Sequence, residues 1–269
     1  MDNAFLKERC RRVRRDVITM VSLAGSGHPG GSLSCTELLV GIYDRMRVNP
    51  ADPNDPGRDR FTLSKGHCAP ALYAVLCDMG FFDRAAYQTF RRLGGTLQGH
   101  PSSRKTPGVD VSTGSLGQGV SMAVGMALGA KHKGEDIQVY TLLGDGEMQE
   151  GLVWEALMAA AHFKLDNLTI AVDNNGLQID GANDEVMSLG NLRAKLDAFG
   201  LDVIELSDGN DITAVTAALG RPALPGKPKC ILAHTVKGKG VSFMENQAGW
   251  HGKAPNAAQR DAALAELEG

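Results

Sequence analysis

Residues 137–146 read IQVYTLLGDG, seven uncharged residues rich in bulky apolar and β-branched side chains, closed by Gly144-Asp145-Gly146. A short apolar run ending on a glycine turn reads as a buried strand. The segments downstream decide the fold class. Residues 152–165 form an apolar-periodic stretch without proline, 168–172 (LTIAV) a second strand, 191–199 a helix and 201–206 a third strand. A helix over 211–219 and a strand over 229–234 (KCILAH) continue the alternation. Strands separated by helices pair in parallel, and such a sheet is covered on both faces. The expectation is an α/β fold with a parallel sheet flanked by helices.

Upstream the chain is more helical. Leu6, Cys10, Val13, Val17, Val21 and Ala24 recur at three- and four-residue spacing, which predicts an amphipathic first helix. Arg9, Arg11, Arg12, Arg14 and Arg15 are read as its solvated face. Ser34-x-x-Glu37 has the form of a capping box, opening a helix that holds Leu38, Leu39, Ile42 and Tyr43. Helices are also predicted over 69–79, stopped by Gly80, over 83–93, stopped by Gly94, and over the tail 256–267. With no internal repeat or linker, residues 1–269 are read as one domain.

A net charge of −3 leaves no basic excess to neutralise phosphates, which argues against a nucleic-acid partner. No apolar run approaches the ~20 residues that span a bilayer, so no membrane segment is expected. Cysteines at 10, 35, 68, 77 and 230 form no C-x-x-C pair, a pattern that fits free thiols in a reducing cytoplasm.

Open parallel sheets bind ligands at the carboxyl ends of their strands, where a following helix N-terminus attracts anions. Gly144 and Gly146 let backbone approach a ligand there, and Asp145 points a carboxylate at the place a diphosphate would occupy. Two like charges need a cation between them, and magnesium fits, since it shares oxygen ligands with phosphates. The next strand ends in Asp173-Asn174-Asn175-Gly176-Leu177, a source of amide and carbonyl oxygens across the same crevice.

Four of the seven histidines adjoin glycine: His28, His67, His100 and His251. Each alone reads as a surface-loop residue, but four in such contexts point to a shared role in loops that carry chemistry. Residues 112–119 (STGSLGQG) form a glycine-rich turn able to bind phosphate through backbone N–H groups, and they match neither the dinucleotide nor the Walker pattern. Gly125 and Gly129 continue along the next helix and predict close packing, a neighbouring protein chain being one candidate for what packs there.

Together, residues 26–34 (SGHPGGSLS), 63–73 (LSKGHCAPALY), 97–102 (LQGHPS), 112–129, 144–151 (GDGEMQEG), 173–181 (DNNGLQIDG) and 250–255 (WHGKAP) resemble the N-terminal, thiamine diphosphate-binding domain of transketolase. Residues 235–246 (TVKGKGVSFMEN) look like the two-subunit branch of that family. The resemblance implies the thiamine diphosphate-binding fold, with thiamine diphosphate and Mg2+ (or another divalent cation) as cofactors. It implies metal ligation by the side chains of Asp145 and Asn175 and the carbonyl of Leu177. Gly144 and Gly146 would lie at the diphosphate, His67 and His251 near its phosphates, and Gly114 and Leu116 along the cofactor through their backbone. His28, His67, His100 and His251 would surround the thiazolium and the donor sugar, where neutral imidazoles shuttle protons. Glu150 matches a family acid at the interface between subunits; a first-turn helix carboxylate favoured by the dipole is the equal alternative. Ser115 departs from the proline of many fused enzymes, which leaves the turn less rigid.

The implied activity is transfer of a two-carbon ketol unit from a ketose (phosphate) to an aldose. It requires a C-terminal transketolase subunit carrying the pyrimidine-binding domain, in an expected assembly of two plus two chains. A deoxyxylulose-phosphate synthase, the α subunit of a 2-oxo acid dehydrogenase and a non-catalytic paralogue remain as alternatives.

Overall fold

The computed structural model describes residues 2–268. The chain opens with a long helix α1 (Asn3–Ala24), the short α2 (Pro29–Ser34) and α3 (Thr36–Arg45). Strand β1 (Arg60–Leu63) and α4 (Ala69–Asp78) follow, and after a long irregular stretch α5 (Gln118–Lys133) leads into β2 (Val139–Gly144). Then come α6 (Gly151–His162), β3 (Leu168–Asn174), α7 (Asn183–Met187), α8 (Leu192–Ala198), β4 (Asp202–Leu206), α9 (Ile212–Gly220), β5 (Lys229–His234) and α10 (Ala257–Glu266).

The five strands form one sheet in the order β1-β2-β3-β5-β4, and every pairing is parallel. Alternate residues of the central strands feed opposite layers, as strand geometry requires. Tyr140, Leu142, Ala171, Ile231 and Ala233 pack with α1, α3, α4 and α9. Val139, Leu143, Ile170, Val172 and Leu232 pack with α5, α6 and α8. Both faces are therefore buried, which is why the strands read as continuous apolar runs. The register sets Gly144 opposite Asp173 and Asn174 opposite His234, aligning the carboxyl ends of three strands along one crest.

The three later helices start as their polar residues dictate. Asn191 caps α8 through Ala194 N, Asp211 caps α9 through Thr213 N, and Asn256 with Gln259 forms a capping box on α10.

Four readings need correction. Ser34 does not cap a helix: its hydroxyl donates to Asp173 at 2.6 Å, and Glu37 instead takes a two-pronged contact from Arg14, both at 2.6 Å. Helix α3 starts at Thr36 with no side-chain cap, because tertiary partners of a buried serine and glutamate outweigh a local cap. The arginine face of α1 is likewise half internal. Arg14 is buried against Glu37, and Arg9 is buried against Asp78.

Residues 83–93 hold only one tight 3-10 segment, Arg84–Thr89, after which the chain turns through a left-handed Arg91 at φ 55°. Strand β1 escaped the sequence reading, since four residues hemmed by a Pro- and Asp-rich loop show no period of their own. The close packing predicted for Gly125 and Gly129 does not occur within this chain: a methyl group at either would meet nothing within 4 Å. The five cysteines are free and buried. Among the described residues no helix is long and apolar enough to cross a membrane.

Candidate active site

The crest carries a cavity of about 260 Å3. Its floor is the end of β2, where Gly144, Asp145 and Gly146 turn over the sheet, and one side is the loop after β3 with Asn175 and Leu177. Gly114 and Leu116 contribute the segment before α5, and His28, His67, His100 and His251 close the remaining wall. The four histidines arrive from four loops. His28 lies 5.3, 6.2 and 5.5 Å, centroid to centroid, from His67, His100 and His251. His67 and His251 stack at 4.9 Å.

Every candidate residue of the sequence reading lines this cavity except Glu150. Glu150 is exposed. It stands at the N-cap of α6 with no capping hydrogen bond, one position before the first turn. Its side chain lies toward Gly117, where an added methyl group would meet its Cβ at 3.2 Å.

Close backbone approach explains two of the glycines. At Gly66 a methyl group would stand 2.8 Å from Gly114 N and from the Thr113 hydroxyl, so the loop of His67 and the strap of Gly114 can touch only through glycine. At Gly30 it would stand 2.9 Å from the Trp250 carbonyl, which seats the loop bearing His251 against α2.

Asp145 is 2% exposed. Its Oδ1 accepts from Gly146 N at 2.8 Å and its Oδ2 from Gly176 N. Burial and then the neighbouring Asp173 raise its pKa, against the backbone N–H groups and Lys65. Asn175 Oδ1 accepts from Leu177 N at 3.1 Å, and its amide donates to Asp173 at 3.2 Å. These are hard oxygen donors of the kind magnesium takes, although no three His, Cys, Asp or Glu side chains among the described residues are placed to hold a metal ion by themselves. A metal here would therefore draw its remaining ligands from a carbonyl and from a phosphate-bearing cofactor.

Sequence reasoning missed three buried charged residues in the cavity lining, Lys65, Glu147 and Lys237. Lys65, 1% exposed, pairs with the fully buried Asp173; desolvation pulls the ammonium's pKa down, but the carboxylate overrides it and holds it well above the ordinary value. Glu147, 2% exposed, accepts from Gly144 N at 3.1 Å, Gly117 N at 2.8 Å and the Ser64 hydroxyl, so one carboxylate ties β1, β2 and the start of α5 together. Its burial raises its pKa against those bonds. Lys237, 2% exposed, donates to the Leu177 carbonyl at 3.0 Å and to His251 Nδ1 at 3.1 Å. Burial, then the Lys65 charge, lower its pKa. The only signal was position: Lys65 and Lys237 lie inside the two lysine-glycine segments, 63–73 and 235–246, that carried the resemblance.

Burial is the first cause that favours the neutral form of His28, His100 and His251. Desolvation, then the neighbouring His67, lower His28 to about 4. Desolvation, then the Lys237 charge, lower His251 to about 3. His100 is lowered by desolvation and then by Arg91.

Residues 7–267 match the family described as transketolase, thiamine diphosphate binding domain. The chain belongs to that family. It is 43% identical over 263 residues to one subunit of the apulose-4-phosphate transketolase of Phocaeicola vulgatus, covering 97% of this chain and 93% of that one. It is 42% identical to the 6-deoxy-6-sulfo-D-fructose transketolase subunit SqwG of a Clostridium species, covering 98% and 96%. Human transketolase is 39% identical over 92% of this chain, which spans 40% of it. Among solved structures, a Pichia stipitis transketolase superposes with a TM-score of 0.94 at 30% identity, over 98% of this chain and 40% of that one. The Campylobacter jejuni transketolase gives 0.93 at 31% identity, over 100% and 43%. The fold is thus that of the transketolase thiamine diphosphate-binding domain, and the chain corresponds to the subunit that carries this domain in split transketolases.

Proposed function

We propose that this chain is the diphosphate-binding subunit of a two-chain transketolase, which moves a two-carbon ketol unit from a ketose or ketose phosphate to an aldose. The observation that carries this reading is the single cavity shared by a hard-oxygen crest and four imidazoles. Relatives named as transketolase subunits align along 93% and 96% of their own length, which supports a separate C-terminal partner with the pyrimidine-binding domain. The same alignment favours a transketolase over a deoxyxylulose-phosphate synthase or an oxo acid dehydrogenase subunit.

Thiamine diphosphate, when bound, supplies the carbanion chemistry of ketol transfer. Asp145, Asn175 and the Leu177 carbonyl would hold a divalent cation against its diphosphate. Fit is supported by the buried carboxylate itself, whose raised pKa marks a negative charge short of compensation. The Leu177 carbonyl, already taking a Lys237 N–H, presents a second oxygen that draws positive charge. Gly144 and Gly146 leave room for the diphosphate, with His67 and His251 donating to its oxygens and Gly114 and Leu116 contacting the cofactor through their backbone. His28 and His100 face the sugar and orient its hydroxyls, and His100 exchanges protons with them.

The assembly reads as two copies of this chain with two of the partner, the usual outcome of two-fold symmetry. Gly125 and Gly129 lie uncovered on α5, with Met122 and Met158 exposed nearby on α5 and α6, and Glu150 stands at that side as an interface acid. Five buried free thiols support a cytoplasmic setting. The deciding experiment is co-expression with the partner chain, then size and ketol transfer measured against a panel of ketoses and aldehydes. Activity is expected for the pair and absent for this chain alone; robust turnover by the chain alone would overturn the reading.

A further inference from the structure

Arg91 sits where a helix was expected. The 3-10 segment ends at Thr89, and the chain turns through a left-handed backbone at Arg91 that side-chain-bearing residues adopt uncommonly. Its amide is tied to Leu97 O at 2.9 Å. The turn sends the guanidinium inward, over Gly99, where an added methyl group would stand 3.1 Å from its central carbon. There Arg91 donates to the Ser26 hydroxyl at 3.2 Å and to His28 Nδ1 at 3.3 Å. Its Nε is buried without a partner. Burial lowers its pKa, and no carboxylate among the described residues offsets this. A half-buried guanidinium that meets an imidazole instead of an acid is an unusual placement of charge.

A guanidinium has donors only. Whatever nitrogen faces it must offer a lone pair, so His28 Nδ1 is the acceptor and its proton belongs on Nε2. An imidazolium, or the other neutral tautomer, would set N–H against N–H. The groups around the ring agree: His67, His100 and His251 stand on its other sides, Cys68 is close by, and none but the thiol favours a positive charge. The Nε2 edge lies beside Gly252, 3.6 Å from where its methyl group would be, and the His28 side chain belongs to the cavity lining.

We propose that Arg91 is a positioning residue that holds His28 in its Nε2–H form, making His28 a fixed hydrogen-bond donor to substrate oxygen and never the base. Proton acceptance then falls to His67 and His100, whose tautomers no arginine fixes. The kinetic consequence rests on the ketol-transfer reading; the tautomer itself does not.

The test is 15N NMR of histidine-labelled full chain, with His28 assigned by its loss in His28→Gln. At pH 7 the wild-type ring is expected to show an unprotonated Nδ1 and a protonated Nε2. Arg91→Met should mix the tautomers and raise the His28 titration midpoint from about 4, because a neighbouring cation has gone. Arg91→Lys should restore the wild-type pattern. Arg91→Gln replaces Arg91→Met should that variant not fold. In the reconstituted pair Arg91→Met should lose about tenfold in kcat at unchanged cofactor affinity, and Arg91→Lys should recover part of it. A protonated Nδ1 in the wild type, or a tautomer and titration unmoved in the neutral variants, overturns the proposal. A pair without any ketol transfer would sink the function reading, while the spectra still decide the role of Arg91.

Discussion

The ammonium of Lys65, in the wall of the cavity, and the carboxylate of Asp173 form an ion pair at 1% and 0% exposure. Asp173 has three further donors: the Ser34 hydroxyl at 2.6 Å, the Asn175 amide at 3.2 Å and the Thr235 hydroxyl. It thereby joins α2, the end of β3 and the loops after β1 and β5, the elements that carry the cavity walls.

Removing one partner leaves the other buried charge unpaired. Lys65→Met or Asp173→Leu should each cost about 3–5 kcal/mol of stability. The double variant Lys65→Met/Asp173→Leu should lose less than the two singles combined. Urea denaturation of the four proteins checks this; additive losses would mean the pair contributes no coupling.

Asp145 is expected to trade stability for binding. Its pKa is raised in the fold, so its ionised form destabilises the chain. For an acid with a raised folded pKa the cost is absent below the ordinary value, 3.8, sets in as pH rises past it and is complete above the folded pKa. Asp145→Asn removes the ionised form but turns its NH2 toward one of the two backbone N–H groups, so without cofactor it should lose this pH dependence rather than gain stability at every pH. In the reconstituted pair it should lose magnesium-dependent thiamine diphosphate binding. Calorimetry with and without magnesium reads the second effect, and unchanged affinity would remove Asp145 from the metal site.

His28 and His251 set an acid limit to stability. Both bind a proton more weakly in the fold, at about 4 and about 3, than in the unfolded chain near 6.5. The unfolded state therefore takes up protons first, and stability falls as pH drops from about 6.5 through 4. His251→Gln should flatten that slope. Parallel slopes for wild type and variant across this range, in thermal melts, would contradict the lowered values.

Gly66→Ala tests the contact between the loops that bring His67 and Gly114 to the cavity. The added methyl group would meet Gly114 N at 2.8 Å, backbone against backbone, with no flexible side chain to yield. A loss of about 1–3 kcal/mol is expected from overpacking, with weaker cofactor binding in the pair since His67 and Gly114 both move. Gly125→Ala, at an open position inside α5, should raise the chain's own stability by about 0.5–1 kcal/mol, the helix preference of alanine over glycine.

Part of this protein is local and was legible in the sequence by itself. Apolar runs of strand length between helical periods specify a parallel sheet whatever the chain does elsewhere, and the glycine turn after residue 143 marks the crest. Asn191, Asp211 and Asn256 begin helices because their side chains satisfy N–H groups two or three residues away. Tertiary structure decided what depends on partners distant in sequence. Ser34 and Glu37 have the spacing of a cap, yet Asp173 and Arg14 claim them, since a buried charge needs a partner more than a helix end needs a cap. β1 is a strand only because β2 offers it a ladder. Arg91 leaves a helical pattern to reach His28, and Lys65 becomes a buried cation only once Asp173, 108 positions later, closes over it. Local spacing carries no record of such pairings, because their free energy comes from removing water between residues that only the fold brings together.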